Sequence, residues 1–367
     1  MSSVLPRLKR LVFEHLDLPL LLIIAPLMAI GLLTVYSATY DVSNRAFGQL
    51  VNMSVGIVVM WGVARVHPQH LMRFALPLYL VGVFLLTLVF FAGVRVNGAQ
   101  RWLSLGFMRC QPSELLKIAT PMALAWYFQK YETAIKIRHY ALAFLMVLVP
   151  FALIAKQPDL GTSILVGAAG VYVIFFAGLP WKFIVGTLVV AVAASPFVWP
   201  LLHEFQRKRV LILLDPTIDP FGAGYHIIQS TIAIGSGGGF GKGWLQGTQT
   251  HLEFIPERHT DFIFAVFSEE YGFLGAGVLI LLYLLLIARC LMITINASTL
   301  FARLLGGAIT LSFFTCAFVN IGMVSGVLPV VGVPLPFMSY GGTALVTLFC
   351  SLGIMMSIQT HRMLLKK

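Results

Sequence analysis

Apolar and polar residues alternate in long blocks along this chain. The apolar blocks cover about 17 to 36, 47 to 65, 74 to 92, 112 to 129, 139 to 156, 160 to 178, 182 to 202, 262 to 288, 301 to 324 and 340 to 360. Each approaches the roughly 20 residues that a helix needs to cross a hydrocarbon core. Leu, Val, Ile and Phe run through them without the period-two alternation of a barrel strand, so each span must satisfy its backbone as a helix. The pattern predicts an all-α integral membrane protein of about ten transmembrane helices, with residues 1–367 forming one polytopic domain.

Composition agrees: 59% of the residues are hydrophobic and 11% charged, with a mean hydropathy of +0.90. A water-soluble globule is excluded. The first block follows Arg7, Lys9 and Arg10 and runs past Pro26 to about Tyr36 without a small-residue cleavage site, which reads as a retained span. Cys110, Cys290, Cys316 and Cys350 include no Cys-x-x-Cys pair and indicate neither a disulfide framework nor a zinc site.

Ten spans put both termini on one side, and charge says which. Segments on the terminal side carry many basic residues, among them Arg65, Arg73, Lys130, Lys136, Arg138, Arg289 and Arg303, whereas the opposite short loops carry only Arg45, Arg95, Arg101, Arg109 and Lys156. The termini are therefore expected in the cytoplasm. The connection 203–261, between the seventh and eighth spans, becomes a long extracytoplasmic loop. It has apolar elements of its own at Val210 to Leu214 and Tyr225 to Ile234, divided by turns at Asp215-Pro216 and Asp219-Pro220. A loop of this kind inside a compact bundle points to function.

Chemistry concentrates on that same side. Pro256-Glu-Arg-His-Thr-Asp261 sets ionisable groups directly against an apolar run, and Asp261 is the candidate general base, with Arg258 and His259 beside it. As an alternative, Asp261 caps the eighth helix. Arg101, Arg109, the run Gln206 to Arg209, and Lys242 within a glycine-rich stretch can together neutralise a pyrophosphate, although Ser236 and Gly243 break the P-loop pattern. Glu114 and Lys117 lie three apart on one helix face and can pair. An unpaired charge at mid-bilayer costs about 3 kcal/mol, which favours a role lining a cavity. Asp159 reads as a helix cap or a cavity residue. Of Glu269 and Glu270, at most one is expected to point inward. The stretch from Gly326 to Gly342 is too broken for a helix and too apolar for a solvated loop, so it should re-enter the bundle and wall the site.

Five stretches, Gln111-Pro-Ser-Glu114, Gln157 to Thr162, Gly222 to His226, Pro256 to Phe264 and Asn320 to Ala344, occur in this order over nearly the whole chain. They resemble the shape, elongation, division and sporulation family, and the Ser339-Tyr-Gly-Gly342 form resembles its elongation branch rather than its division branch. The resemblance implies a peptidoglycan glycosyltransferase that polymerises lipid II at the outer face of the bacterial cytoplasmic (inner) membrane during elongation. It further implies a divalent cation (Mg or Mn) with no organic cofactor, a class B penicillin-binding protein as transpeptidase partner, other elongation-complex proteins, contact with membrane lipid, and no nucleic acid. Asp261 falls on the family's essential acid, with Trp102, Arg109, Glu114 and Lys117 around the central cavity and Ser339 in the motif that walls it. Asp261 is also the one residue marked for the metal. Two rival readings remain: a lipid II flippase, and a scaffold for a penicillin-binding protein.

Overall fold

The computed structural model describes residues 15–39, 43–96, 99–104, 109–183, 211–213, 215–219, 222–252, 254–255 and 257–363, together with isolated positions between 185 and 207. Nine long helices among the described residues account for nine of the ten expected spans. They are α1 (Leu18–Ala38), α2 (Ser43–Ala64), α3 (Pro68–Ala92), α4 (Pro112–Lys130), α5 (Ile137–Lys156), α6 (Leu160–Phe176), α9 (Ile263–Ile295), α10 (Leu300–Val324) and α11 (Thr343–Met363). The span expected over 182 to 202 lies mostly outside the described residues, as do Lys208 and Arg209.

Seven of these helices are long and apolar enough to cross a membrane, and α6 is an apolar helix of 17 residues. The chain is a multi-pass membrane protein. Helix α4 falls short of that group for a physical reason. It carries Glu114, Lys117 and Lys130, and nearly all of it from Pro112 to Phe128 is buried among the other helices. A helix that meets protein on every side needs no lipid-facing apolar surface, so it can hold the charges that the outer helices exclude.

The long loop is ordered over much of its length. A short 3-10 turn (Pro216–Ile218), α7 (Ala223–Ser236) and α8 (Thr248–His251) lie within it, and α7 packs on α9 and α10. The glycine-rich stretch after α7 inserts into α9. Gly272 has φ 64, and the loop takes up the bonds the helix gives up there: Lys242 N and Gly243 N donate to Glu269 O and Glu270 O, and Phe273 N donates to Gly238 O. A side chain at position 272 would drive into the Gly241 backbone.

A small antiparallel sheet, β1 (Val94–Val96), β2 (Ala99–Ser104) and β3 (Arg109–Cys110), sits between α3 and α4 in the order β1-β2-β3. Sequence reasoning missed it. The Asn97-Gly98 dipeptide between two short β-prone runs is the hairpin signal that could have announced it.

Residues 325–342 form no helix and run back into the bundle between α10 and α11, as expected. Leu335, Phe337, Met338 and Ser339 are buried there. Tyr283 Oη donates to Pro336 O at 2.6 Å, and Gln49, fully buried on α2, donates to Ser339 O at 3.1 Å. Irregular backbone at this depth is thus paired by side chains from the surrounding helices.

Candidate active site

A cavity of about 260 Å³ opens at the end of the bundle where α4 begins. Helices α4 and α6, strand β2, the segment before α9 and the re-entrant stretch all contribute to its wall. The structure brings Arg101, Trp102, Glu114, Lys117, Asp159, Asp261 and Ser339 together there.

Four of the five cavity charges are committed to one another. Lys117 Nζ lies 2.6 Å from Glu114 Oε1, one turn away on α4, so the pairing read from their spacing is present. Glu114 Oε2 is buried without a partner and is left to face the cavity. Asp159 caps α6, accepting from Thr162 N at 3.1 Å, and its second oxygen accepts from Gln111 Nε2 at 3.1 Å. Both roles weighed for Asp159 are filled by one carboxylate. Arg101 reaches across from β2, 3.6 Å from Asp159, and donates to Gln157 O at 3.2 Å and to Pro158 O.

Asp261 is the exception. Among the described residues no hydrogen bond or ion pair reaches its carboxylate, while its backbone is held tightly. Asn320 Nδ2 donates to Asp261 O at 2.8 Å and to Val333 O at 2.7 Å. Ser339 Oγ donates to Thr260 O at 2.7 Å and accepts from Leu335 N at 2.7 Å, and Tyr340 N donates to His259 O at 2.8 Å. Gly332, with φ 71, passes so close that a Cβ there would lie 3.2 Å from Asp261 Oδ2. Burial first, then the negative charges of Glu257 and Asp159, push the Asp261 carboxyl up from 3.8 to about 6. Such an acid is ionised at neutral pH and still a competent proton acceptor.

The cap reading of Asp261 is corrected: α9 begins at Ile263, its N-cap is Phe262, and no side chain caps it. Three other expected site residues lie outside the cavity wall. Lys242 is bound to Glu269 at 2.7 Å and to Thr248 Oγ1 at 2.7 Å. Glu269 is fully buried and also accepts from Gln249 N, Thr250 N and Thr250 Oγ1, a better home for an ammonium than an open cavity. Arg258 donates to Ala38 O at 2.6 Å and Thr250 O at 2.8 Å, tying the long loop to α1. His259 packs near Tyr340 and lies 2.9 Å from Arg45. Burial and the Arg45 charge hold its pKa below 6.5, so it accepts as a neutral ring.

Glu269 and Glu270 both turn into the protein. Glu270 accepts from Ser37 Oγ and from Leu245 N at 3.2 Å. The expectation that only one would do so fails because the inserted loop and α1 bracket α9, offering donors on two faces. Arg109 pairs through its backbone with Ser104, and its side chain lies outside the described part of the structure. The sequence reading also passed over Asn320, Gln49 and Gln111 as functional supports. A buried amide inside an apolar helix, as at Asn320, is the available signal, since it must find partners there.

The profile of the cell cycle protein family that unites FtsW, RodA and SpoVE matches residues 18–364. The peptidoglycan glycosyltransferase MrdB of Escherichia coli K12 is 49% identical over 358 residues, covering 96% of each chain. A probable peptidoglycan glycosyltransferase FtsW of Coxiella burnetii is 36% identical, covering 90% of this chain and 93% of its own. Among solved structures, a chain from a peptidoglycan synthase complex that coordinates polymerization and crosslinking superposes with a TM-score of 0.82 at 35% identity, covering 94% of this chain and 98% of that one. The rod shape determining protein RodA of Thermus thermophilus superposes at 0.71 with 29% identity, covering 94% and 97%.

Proposed function

The chain belongs to the FtsW, RodA and SpoVE family of cell cycle proteins, and we propose that Asp261 is the base of its polymerisation reaction. The protein is a peptidoglycan glycosyltransferase. The observation that carries the assignment is the uncommitted carboxylate of Asp261, facing a cavity in which every other described charge has an opposite partner.

The reaction joins the 4-hydroxyl of one lipid II sugar to the anomeric carbon of another. One C–O bond forms, the bond to the lipid pyrophosphate breaks, and the hydroxyl proton needs an acceptor. Converting an α-linked donor into a β-1,4 link is an inversion, so one displacement and one base suffice, with no carboxylate nucleophile. Asp261 takes the proton. Arg101 and Lys117, on the same cavity wall, attract the departing pyrophosphate, while Trp102 offers a flat apolar surface to a sugar ring. The cavity faces the outside of the cytoplasmic membrane in this reading. The positive-inside distribution supports that orientation, since the basic loops lie at the other end of the bundle.

A divalent cation fits this reading in one way. Among the described residues no three His, Cys, Asp or Glu side chains gather as a ligand set. A magnesium ion, however, is commonly held by one or two carboxylates plus substrate phosphates, and Asp261 and Asp159 face the same cavity. When bound it would supply positive charge to the leaving group. The crosslinking partner is a class B penicillin-binding protein in this reading, which the similarity to a chain of a polymerizing and crosslinking complex supports.

The flippase reading needs a polar route to the opposite face. Below Lys117 the buried residues of α4 are Ile118, Ala119, Pro121, Met122, Ala123, Leu124, Ala125 and Phe128, with Thr120 and Tyr127 as their hydroxyls, which argues against such a route along this helix.

The test uses pure protein, with and without its partner, given labelled lipid II and Mg or Mn. Long glycan strands from the parent and none from Asp261→Asn or Asp261→Ala are expected. Polymerisation by either variant at the parent rate removes Asp261 as the base.

A further inference from the structure

A second cavity, of about 210 Å³, lies at the end of the bundle opposite Asp261. Gln129, on its wall, is 15 residues along α4 from Glu114, which places it roughly 22 Å down the helix axis from the first cavity. Four segments converge on it: the turn from α2 into α3, the last turn of α4, the first turn of α10 and the last turn of α11.

The polar part of this wall offers donors that meet no acceptor among the described residues. Arg362 Nε is buried and meets no acceptor among the described residues. His361 is only 8% exposed, and its Nδ1 lies 2.9 Å from Ser357 O. A carbonyl only accepts, so Nδ1 carries the proton and Nε2 of the neutral ring is an acceptor. His67 Nδ1 accepts from Gln69 N at 3.2 Å, which puts the proton of the neutral ring on Nε2, and its ring centroid lies 4.4 Å from that of His361. Next to them His15 stacks on His361, with its Nδ1 buried and without a partner among the described residues. Arginine and two imidazoles thus share a wall that carries no carboxylate among its described residues.

Gln69, Gln129, Ser298 and Thr299 add neutral polar groups to the wall, and Phe301 and Ile358 give it an apolar part. A cationic rim beside apolar side chains at the end of a helix bundle suits a phosphate that comes attached to acyl chains. Arg binds phosphate oxygens by charge-assisted hydrogen bonds, the neutral His67 ring can donate from Nε2, and the unsatisfied Nε of Arg362 is the kind of donor such an oxygen completes.

We infer that this cavity is a binding site for the phosphate group of an anionic phospholipid, held by Arg362 and His67 at the face of the membrane opposite the polymerising site. The site is independent of the assignment of Asp261 and requires only the membrane fold.

Purified protein in detergent is loaded with dioleoylphosphatidylglycerol or dioleoylphosphatidylcholine, and retained lipid is counted by native mass spectrometry. The parent should retain one phosphatidylglycerol in preference to phosphatidylcholine, and Arg362→Gln should weaken that retention about tenfold, the size of one charge-assisted contact. Arg303→Gln, which removes an equal charge outside the cavity, should leave it unchanged. If Arg362→Gln does not fold, His67→Leu serves in its place. In a parallel arm inorganic phosphate competes with the lipid. Displacement of the lipid by phosphate reassigns the site to a soluble ligand and overturns the lipid, and no displacement supports the lipid. Equal retention of the two lipids, or equal loss in Arg362→Gln and Arg303→Gln, overturns the inference.

Discussion

Replacing Asp261 with Asn should abolish polymerisation and at the same time stabilise the protein at neutral pH. The two effects have one origin. Burial and the charges of Glu257 and Asp159 hold the folded-state pKa at about 6, against 3.8 for an ordinary Asp. The folded chain therefore binds the Asp261 proton more tightly than the unfolded chain. That contribution to stability is fully present below 3.8 and is lost as the pH rises through 6. The rise from 3.8 to about 6 corresponds to roughly 3 kcal/mol, an upper figure because the carboxylate is partly open to the cavity. Asn keeps the shape and discards the charge. The two proteins should unfold alike near pH 4, and the variant should gain between about pH 4 and 6 and keep the full gain at about pH 8. Thermal unfolding in detergent at one fixed scan rate, across that pH range, reads the difference even if unfolding is irreversible. A parent more stable than Asp261→Asn at about pH 8 would show that the carboxylate has a cationic partner, and the reasoning would fail.

Glu257→Gln removes one of the two like charges that raise Asp261, so the acid limb of the rate profile should move to lower pH; a limb that stays in place or rises refutes the electrostatic account. Lys117→Met leaves buried Glu114 without its partner and should destabilise by about 3–5 kcal/mol in thermal unfolding. Adding Glu114→Gln should restore most of that stability without restoring polymer. Asn320→Ala removes both donors that tie the Asp261 and Val333 carbonyls, which should cost about 2–4 kcal/mol and lower kcat more than it raises KM. Equal kinetics at matched folded fraction would reduce Asn320 to a packing residue.

The spans were legible because lipid imposes one requirement on every stretch that crosses it. The re-entrant segment was legible because three prolines and several glycines cannot continue a helix. Asp261, Glu114 and Lys117 stood out because charge is scarce in such a chain. The destination of Lys242 was not legible. A lysine among glycines reads the same whether it meets a phosphate or a buried acid, and Glu269, the acid in question, lies 27 residues further along the chain. The insertion of that loop into α9 at Gly272 is likewise a long-range event that a local pattern of apolar residues cannot announce. The three strands before α4 were lost for the opposite reason, being too short for alternation to rise above the surrounding hydrophobicity.

What positions Asp261 explains how it can stay without a partner among the described residues. A carboxylate in a protein is usually immobilised by the groups that bind it, and those groups lower its basicity. Here the holding is transferred to the backbone: the carbonyls of residues 259, 260 and 261 are gripped by Tyr340 N, Ser339 Oγ and Asn320 Nδ2, all from α10 or the re-entrant stretch. The same stretch carries Phe337 at φ 63, an unfavourable conformation for a bulky residue, sealed by packing against Phe313 and Phe349. Strain of order 1–3 kcal/mol persists only where the surroundings enforce it. In this fold it is spent on a wall that fixes the main chain beside the acid and leaves both carboxylate oxygens to the cavity.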